Sequence, residues 1–146
     1  MTKLINRRRR RSTGAMLAFL IFALDGCGGG GLHPVQGKLV YDDGQPVTEL
    51  AGYSVTFTSE KLGKSAVGDI AEDGSFRLTT ERPNDGALPG EYQVIVSQPH
   101  PNPERNQNRG PFIDLAYEDP LLSDLKATVE PKNNDFTFRL RRFKSR

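Results

Sequence analysis

The strongest β-strand signal in the chain is the stretch Tyr92-Gln93-Val94-Ile95-Val96-Ser97. Aromatic and β-branched residues, which favour strands, make up most of it. Because successive side chains of a strand point to opposite faces, Tyr92, Val94 and Val96 fall on the same face. We therefore predict a strand over these residues, with that face turned toward the core.

Other segments of the chain carry a similar strand signal. The alternation is clearest over 53–58 and 135–140, where aromatic and aliphatic side chains occupy every second position. The further predicted strands are residues 35–41, 53–58, 66–71, 76–80, 126–130 and 135–140. Short strands separated by turn residues are typical of a two-sheet sandwich, and no long segment shows a helical stripe. The sequence thus predicts an all-β fold, an antiparallel β-sandwich of seven strands.

Turn-forming residues separate the predicted strands. The Asp73-Gly74 pair predicts a tight hairpin between the strands on either side, because glycine tolerates a positive φ. Residues 131–134 predict a second hairpin turn, and residues 119–124 predict either a helical turn or an extended crossing. Residues 98–111, rich in Pro, Asn, Gln and Arg, predict a long exposed loop.

The composition fits one small β-rich domain preceded by a basic segment. The 146 residues include 15 glycines and 10 prolines, and 36% are hydrophobic and 26% charged. The formal net charge is +2, but residues 1–26 hold six of the 20 basic residues and one of the 18 acidic residues. Without them, 14 basic and 17 acidic residues remain, a net charge of −3. An acidic remainder gives no argument for nucleic-acid binding.

The N-terminal segment has the organisation of an export signal. Five consecutive arginines, Arg7 to Arg11, precede a ten-residue apolar run from Ala15 to Leu24. Such a run is too short to cross a bilayer core as a helix, which takes about twenty residues. A basic start, a short apolar run and a small-residue cleavage site define a secretory signal peptide, which we assign to residues 1–26.

The segment Leu24-Asp25-Gly26-Cys27 resembles the lipobox of bacterial lipoproteins. Asp25 stands where that family has a small or apolar residue. The resemblance implies that the thiol of Cys27, the sole cysteine, carries a diacylglycerol, that cleavage occurs before it, and that the new amine receives an acyl chain such as palmitate. Two or three acyl chains give stable anchoring. Residues 27–33, with four consecutive glycines, then form a flexible tether.

Other interpretations of the N-terminal segment are an incidental cysteine behind an ordinary signal peptide or short membrane anchor, a twin-arginine signal, and a nucleic-acid-binding arm. The residues that surround the arginine pair in the twin-arginine motif are missing, and a nucleic-acid arm leaves the apolar run unexplained. We therefore favour a lipid-anchored protein of the cell envelope, with the outer membrane preferred and the domain periplasmic or surface-exposed.

Three groups of residues occur in a recognisable order within residues 34–140. They are Gly37-Lys38-Leu39-Val40-Tyr41 with Gly44-Gln45-Pro46-Val47, then Glu72-Asp73-Gly74-Ser75-Phe76-Arg77-Leu78, then Pro89-Gly90-Glu91-Tyr92-Gln93-Val94. This order resembles the carboxypeptidase regulatory-like domain, a transthyretin-like (prealbumin-like) sandwich of seven strands. Later motifs are similar to segments of small secreted lipoproteins of planctomycete-type bacteria: Tyr117-x-x-Pro120-x-x-Ser123-x-Leu125 and Asn134-x-Phe136-x-Phe138-x-Leu140. The resemblance implies an accessory domain, a folding aid, spacer or interaction module.

The sequence offers no recognised catalytic pattern. The hydroxyisourate hydrolase relative of transthyretin uses a histidine on its first strand, an arginine and a Tyr-Arg-Gly-Ser ending. This chain has no histidine in the predicted first strand and ends Phe143-Lys144-Ser145-Arg146. We expect neither His33, in the tether, nor His100, in the long loop, to be oriented for catalysis. The basic tail at 141–146 is expected to be frayed.

Two weaker signals concern ligands. Asp69, Glu72 and Asp73 crowd near one turn and are candidates for calcium binding, although acidic turn residues are more often simply solvated. Arg105 and Arg109 are candidates for contact with a partner or glycan, but their loop lacks the aromatic residues that usually stack on sugars.

We therefore predict a non-enzymatic envelope lipoprotein that acts as a structural or protein-interaction module. Its expected partners are the membrane, through the lipid anchor, and an envelope protein, but not nucleic acid. Lipidation at Cys27 is the one predicted site, and no catalytic residue, cofactor or metal is predicted. A ligand-binding module for a glycan or calcium is the alternative, and a hydrolase comes third.

Overall fold

The computed structural model describes residues 31–102, 104 and 109–145. Within these ranges its strands are β1 Val35–Tyr41, β2 Ser54–Ser59, β3 Lys64–Asp69, β4 Ser75–Arg77, β5 Gly90–Val96, β6 Lys126–Val129 and β7 Asn134–Leu140. The 3-10 turns Thr48–Leu50 and Leu115–Glu118 lie in the connections. None of the helical segments in the described ranges has the length and apolar character needed to span a membrane.

The strands form two sheets, and the predicted all-β sandwich is confirmed. One sheet has three strands in the order β4-β1-β7, and the other has four in the order β3-β2-β5-β6. The face of β5 that carries Tyr92, Val94 and Val96 is buried, as its alternation predicted. This strand lies inside the four-stranded sheet, between β2 and β6.

The core between the sheets is centred on Phe57 of β2. Its ring centre lies 6.1 Å from that of Phe76, 6.0 Å from Tyr92, 5.8 Å from Phe136 and 5.9 Å from Phe138. These spacings are typical of tilted aromatic pairs, which stabilise a core beyond the area that they bury. The inward residues of both sheets therefore meet in one aromatic cluster.

One strand pair departs from the predicted antiparallel arrangement. β1 and β7 run parallel over their full lengths, from Val35 beside Asn134 to Tyr41 beside Leu140. A parallel pair requires a long crossover, and here the whole domain between the two strands supplies it. The first and last strands of the domain consequently end side by side.

The turn at Asp73-Gly74 forms, but the hairpin predicted from it is only partial, because the strands on either side pair mainly with other strands. Gly74 has a φ of +78°, and its N–H donates to Ala71, yet β3 pairs with β2 and β4 pairs with β1. Beyond the turn, the Ala71 N–H donates to the Ser75 carbonyl at 2.8 Å, and Val67 and Thr79 exchange two backbone hydrogen bonds. The turn thus carries the chain from one sheet to the other.

The second predicted hairpin, at residues 131–134, is wrong for the same reason, since β6 pairs with β5 and β7 pairs with β1. The side chain of Asn134 holds this corner. Its Oδ1 accepts from the Glu130 N–H at 2.9 Å, and its Nδ2 donates to the Glu130 and Lys132 carbonyls. Of the two alternatives for residues 119–124, the structure has the helical turn, in which the Ser123 N–H donates to the Asp119 carbonyl.

Candidate functional site

A cleft of about 880 Å³ opens where β1 and β7 end. We call it the C-terminal cleft. Its walls are Tyr41, Asp42, Asp43, Asp114, Leu115, Arg141, Arg142, Phe143 and Lys144. The parallel pairing of β1 and β7 explains its position, because it delivers the residues that follow Tyr41 and Leu140 to the same end of the sandwich.

Arg142 forms one wall of the cleft by stacking on Tyr41. Its guanidinium carbon lies 3.4 Å from the centre of the Tyr41 ring. One guanidinium nitrogen pairs with the Asp43 carboxylate at 3.2 Å. A planar cation on an aromatic face stabilises the fold by about 0.5–1 kcal/mol at exposed sites and by more where it is desolvated.

The Tyr41 hydroxyl is held protonated beneath this stack. Tyr41 is only 2% exposed, and its hydroxyl donates to Glu49 Oε2 at 3.1 Å. Burial of the phenol, followed by the negative charge of Glu49, raises the pKa of Tyr41 to about 12. At neutral pH the group is therefore a neutral donor and cannot act as a base.

Arg141 forms the second set of contacts. Its side chain pairs with Asp124 at 2.9 Å and with Asp114 at 3.3 Å, and its guanidinium carbon lies 4.9 Å from the centre of the Tyr117 ring. Hydrogen bonding to Asp124 raises the pKa of Arg141 above its ordinary value. The Ala116 N–H, and then Arg141, lower the pKa of Asp114. Because Arg141 is half exposed, each ion pair contributes only about 0–1 kcal/mol.

The predicted frayed tail is wrong for its first three residues. The Arg141 N–H donates to the Tyr117 hydroxyl at 3.2 Å. Arg142 forms an antiparallel β-bridge with Ile113, and the Phe143 N–H donates to the Phe112 carbonyl. The sequence signal for these contacts was the pair of arginines directly after an alternating strand. The sequence does not show which acidic residues the pair meets in the fold, so the pair looks like a basic C-terminal segment exposed to solvent.

The charged groups of the C-terminal cleft thus mostly satisfy one another. Leu115 and Lys144 differ: the Leu115 side chain is 46% exposed, and Lys144 makes no ion pair with any residue that the structure describes. Chemically, the cleft can offer an apolar side chain and a cation to a partner. The Tyr41 ring in its wall and the buried Tyr117 ring each lie against a guanidinium group, which closes those ring faces to stacking by a sugar.

The predicted exposed loop at 98–111 begins with a buried residue. Gln98 Oε1 accepts from the Phe112 and Ile113 N–H groups, both at 2.8 Å, and its Nε2 donates to the Ile113 carbonyl at 2.9 Å. Glu118 accepts from the Gln98 N–H at 3.3 Å and contacts the His100 imidazole at 3.0 Å. The expectation that His100 has no orienting partner is therefore wrong, although its imidazole remains exposed.

The remaining sequence-predicted residues do not converge on a site. Cys27, the predicted lipidation site, and Arg105 lie outside the described residues, whereas Arg109 is described and exposed. His33 belongs to the folded domain rather than to the tether, because its backbone exchanges two hydrogen bonds with Ala87. His33 and His100 thus have different partners, Ala87 and Glu118, and do not form a pair.

The acidic turn proposed for calcium is organised by its own backbone. The Asp73 carboxylate accepts from the Ser75 N–H at 3.0 Å, and bonds to Ser75 lower the pKa of Asp73. Across the described ranges, no three His, Cys, Asp or Glu side chains are placed to hold a metal ion. The turn therefore does not present a ready calcium cage.

Comparison with known proteins gives one match. No family model and no curated protein matches the chain. Among solved structures it is similar to a DUF3823 family protein from Parabacteroides merdae ATCC 43184, with 16% sequence identity and a TM-score of 0.41. The alignment covers 75% of this chain and 45% of that one, so this chain spans less than half of that protein.

Proposed function

We propose that the chain is an exported lipoprotein, anchored at Cys27, whose sandwich is a non-enzymatic structural or protein-interaction module of the cell envelope. In this proposal the sandwich is a carboxypeptidase regulatory-like domain. The sequence features that support anchoring are the basic start, the short apolar run and the sole cysteine directly behind it.

The observation that carries the interaction role is the state of the C-terminal cleft. Arg141 and Arg142 are each committed to a carboxylate and an aromatic ring of the same chain, which leaves the exposed side chains of Leu115 and Lys144 open to a partner. A preordered cleft of this kind loses little conformational entropy on binding, which favours recognition. An enzyme would instead need a nucleophile or base with an orienting partner inside the cleft.

Anchoring is tested by fractionating cells that express the full chain or Cys27→Ser. We expect the unaltered protein in the membrane fraction after a high-salt wash, and the variant released from it. Retention of both proteins in the membrane would contradict a lipid anchor at Cys27, because a membrane-spanning or peripheral attachment does not need the thiol.

The interaction role is tested by cross-linking in intact envelopes, followed by affinity purification and mass spectrometry. Leu115→Asp alters the C-terminal cleft, and Val67→Asp is the matched control, since Val67 is 42% exposed on β3, outside the cleft. We expect Leu115→Asp alone to lose a specific cross-linked protein. Identical cross-linked proteins in both variants would exclude the cleft as the binding surface.

The alternative, a ligand-binding module, is kept for calcium or a glycan. It predicts a rise in melting temperature with added calcium or oligosaccharide, because a ligand that binds only the native state stabilises it. The covered tyrosine rings and the self-bonded Asp73 turn make this the less favoured function.

A further inference from the structure

Partly exposed leucines collect at the end of the sandwich where residue 31 enters it. Leu32 and Leu88 line one hollow there together with Gly31. Leu62, in the turn between β2 and β3, is 36% exposed and lies against Gly90, the residue that begins β5. An apolar patch that is rimmed by polar residues is typical of a surface that contacts a protein or a membrane.

Basic side chains surround these leucines. Lys64 and Arg82 line the same hollow as Leu32, and Lys61 precedes Leu62 in the turn. Among the described residues, none of the three forms an ion pair. Long basic side chains can lay their methylene stems along apolar surface and extend their charges into water or headgroups. We call the leucines 32, 62 and 88 and these three basic residues the tether-end surface.

The charge of this end is nearly balanced. Glu60 and Glu81 stand beside the basic residues and are exposed. Asp85 is occupied within its own loop, where its carboxylate accepts from the Thr80, Glu81 and Arg82 N–H groups. Apolar contact, rather than attraction to one sign of charge, is therefore the stronger component of the surface.

The tether restricts what this end can face. The backbone of His33 is fixed by its two bonds with Ala87, at 2.9 and 3.0 Å. From Cys27 to His33 there are six peptide steps, which reach at most about 22 Å when fully extended. An acylated Cys27, on which this inference rests, therefore keeps His33, at the same end of the sandwich as the tether-end surface, within about 22 Å of the anchored residue.

We propose that the tether-end surface rests on the lipid bilayer, with its leucines among the headgroups and its basic side chains toward the phosphates. This contact gives the anchored domain a preferred orientation. β1 runs from Val35, at this end, to Tyr41, at the C-terminal cleft. Seven strand residues span about 20 Å, so the cleft is lifted away from the membrane toward partners in the compartment.

The chain contains no tryptophan, so a single introduced tryptophan reports its own surroundings. The mature, acylated protein is reconstituted into phosphatidylcholine vesicles with and without brominated acyl chains, which quench tryptophan on contact. The two reporters at the tether end are Leu62→Trp and Lys61→Trp, and the control is Leu115→Trp in the C-terminal cleft. We expect a loss of fluorescence in brominated vesicles for both tether-end reporters and none for the control, at low and at high salt.

Vesicle flotation separates the claim that Cys27 is acylated from the claim that the tether-end surface contacts the membrane. If the proteins float but the tether-end reporters are quenched no more than Leu115→Trp, the membrane contact is wrong and the anchor stands. If the proteins do not float and Cys27 is unmodified, the anchor is wrong and the contact falls with it. Two tether-end reporters are used because a single substitution could disturb the turn. Quenching of both reporters supports the membrane contact.

Discussion

The guanidinium carbon of Arg142 lies 3.4 Å from the centre of the Tyr41 ring, and this contact joins the end of the last strand to the end of the first. The register of β1 and β7 brings the two residues together, since Tyr41 pairs with Leu140 and Arg142 follows two residues later. The stack closes the sandwich at the end that carries the C-terminal cleft.

Replacing Arg142 with Ala should lower the free energy of unfolding by about 1–2 kcal/mol, because it removes both the stack on Tyr41 and the ion pair with Asp43. Arg142→Lys should restore only part of this loss, since lysine keeps the charge but lacks the planar guanidinium. Chemical denaturation measures the free energy of unfolding of both Arg142 variants. Lys144→Ala, a neighbouring change without an ion pair, should stay within about 0.5 kcal/mol. Equal effects of Arg142→Ala and Lys144→Ala would contradict the stack's role.

Stability should fall with pH between about 10 and about 12 through Tyr41. The pKa of Tyr41 is about 12 in the fold against an ordinary value of 10.0, because of burial and Glu49. A raised pKa means that the stabilisation is fully present below pH 10 and is lost as pH rises through 12. Denaturation across this range, with tyrosinate absorbance, should show a shallower decline for Tyr41→Phe. Parallel declines for the two proteins would disprove the assignment.

Gln98→Ala should destabilise the protein by about 3 kcal/mol, because it leaves the partly buried N–H of Phe112 and the buried N–H of Ile113 without their acceptor. Gln36→Ala is the matched control: the Gln36 amide donates to Asp135 on the exposed surface, and its loss should cost less than about 0.5 kcal/mol. Denaturant unfolding measures the free energy of unfolding of both variants and of the unaltered protein. Similar small losses in both variants would mean that Gln98 does not hold the loop start in solution.

Gly37→Ala should also be costly, by about 2–3 kcal/mol. A Cβ at this position would lie 2.5 Å from the Phe136 carbonyl oxygen and 2.5 Å from Cζ of the Phe76 ring. The test is a double-mutant cycle measured by denaturation, in which Phe76→Leu makes room for the new methyl group. The Gly37→Ala penalty should be smaller in the Phe76→Leu background, and strict additivity would show that the ring is not the obstacle.

The strands were predictable because alternation is a local property of the sequence. β1 covers the residues that its pattern indicated, Val35–Tyr41, and β5 is displaced by no more than two residues at its start. The pairing of strands was not predictable in the same way. The Asp73-Gly74 turn specifies only a reversal of direction, and Gly68 then lets β3 approach the Arg77 carbonyl where the chain changes sheets.

The contacts of the C-terminal cleft and of Gln98 were missed for a related reason. Gln98 stands in a segment whose composition is typical of exposed loops, and its burial depends on backbone groups at residues 112 and 113. Arg141 and Arg142 acquire their roles from carboxylates at Asp124 and Asp43, which are distant in sequence. Such long-range complementarity has no local pattern that a single sequence displays.

The central claim is that the chain is a lipoprotein held at Cys27, and the mass of its mature N-terminus tests this most directly. The protein is extracted from membranes with detergent, digested and analysed by tandem mass spectrometry. The account predicts an N-terminal peptide that begins at Cys27 and carries a diacylglycerol on sulfur, with residues 1–26 removed. An intact Met1 together with an unmodified Cys27 thiol would contradict it.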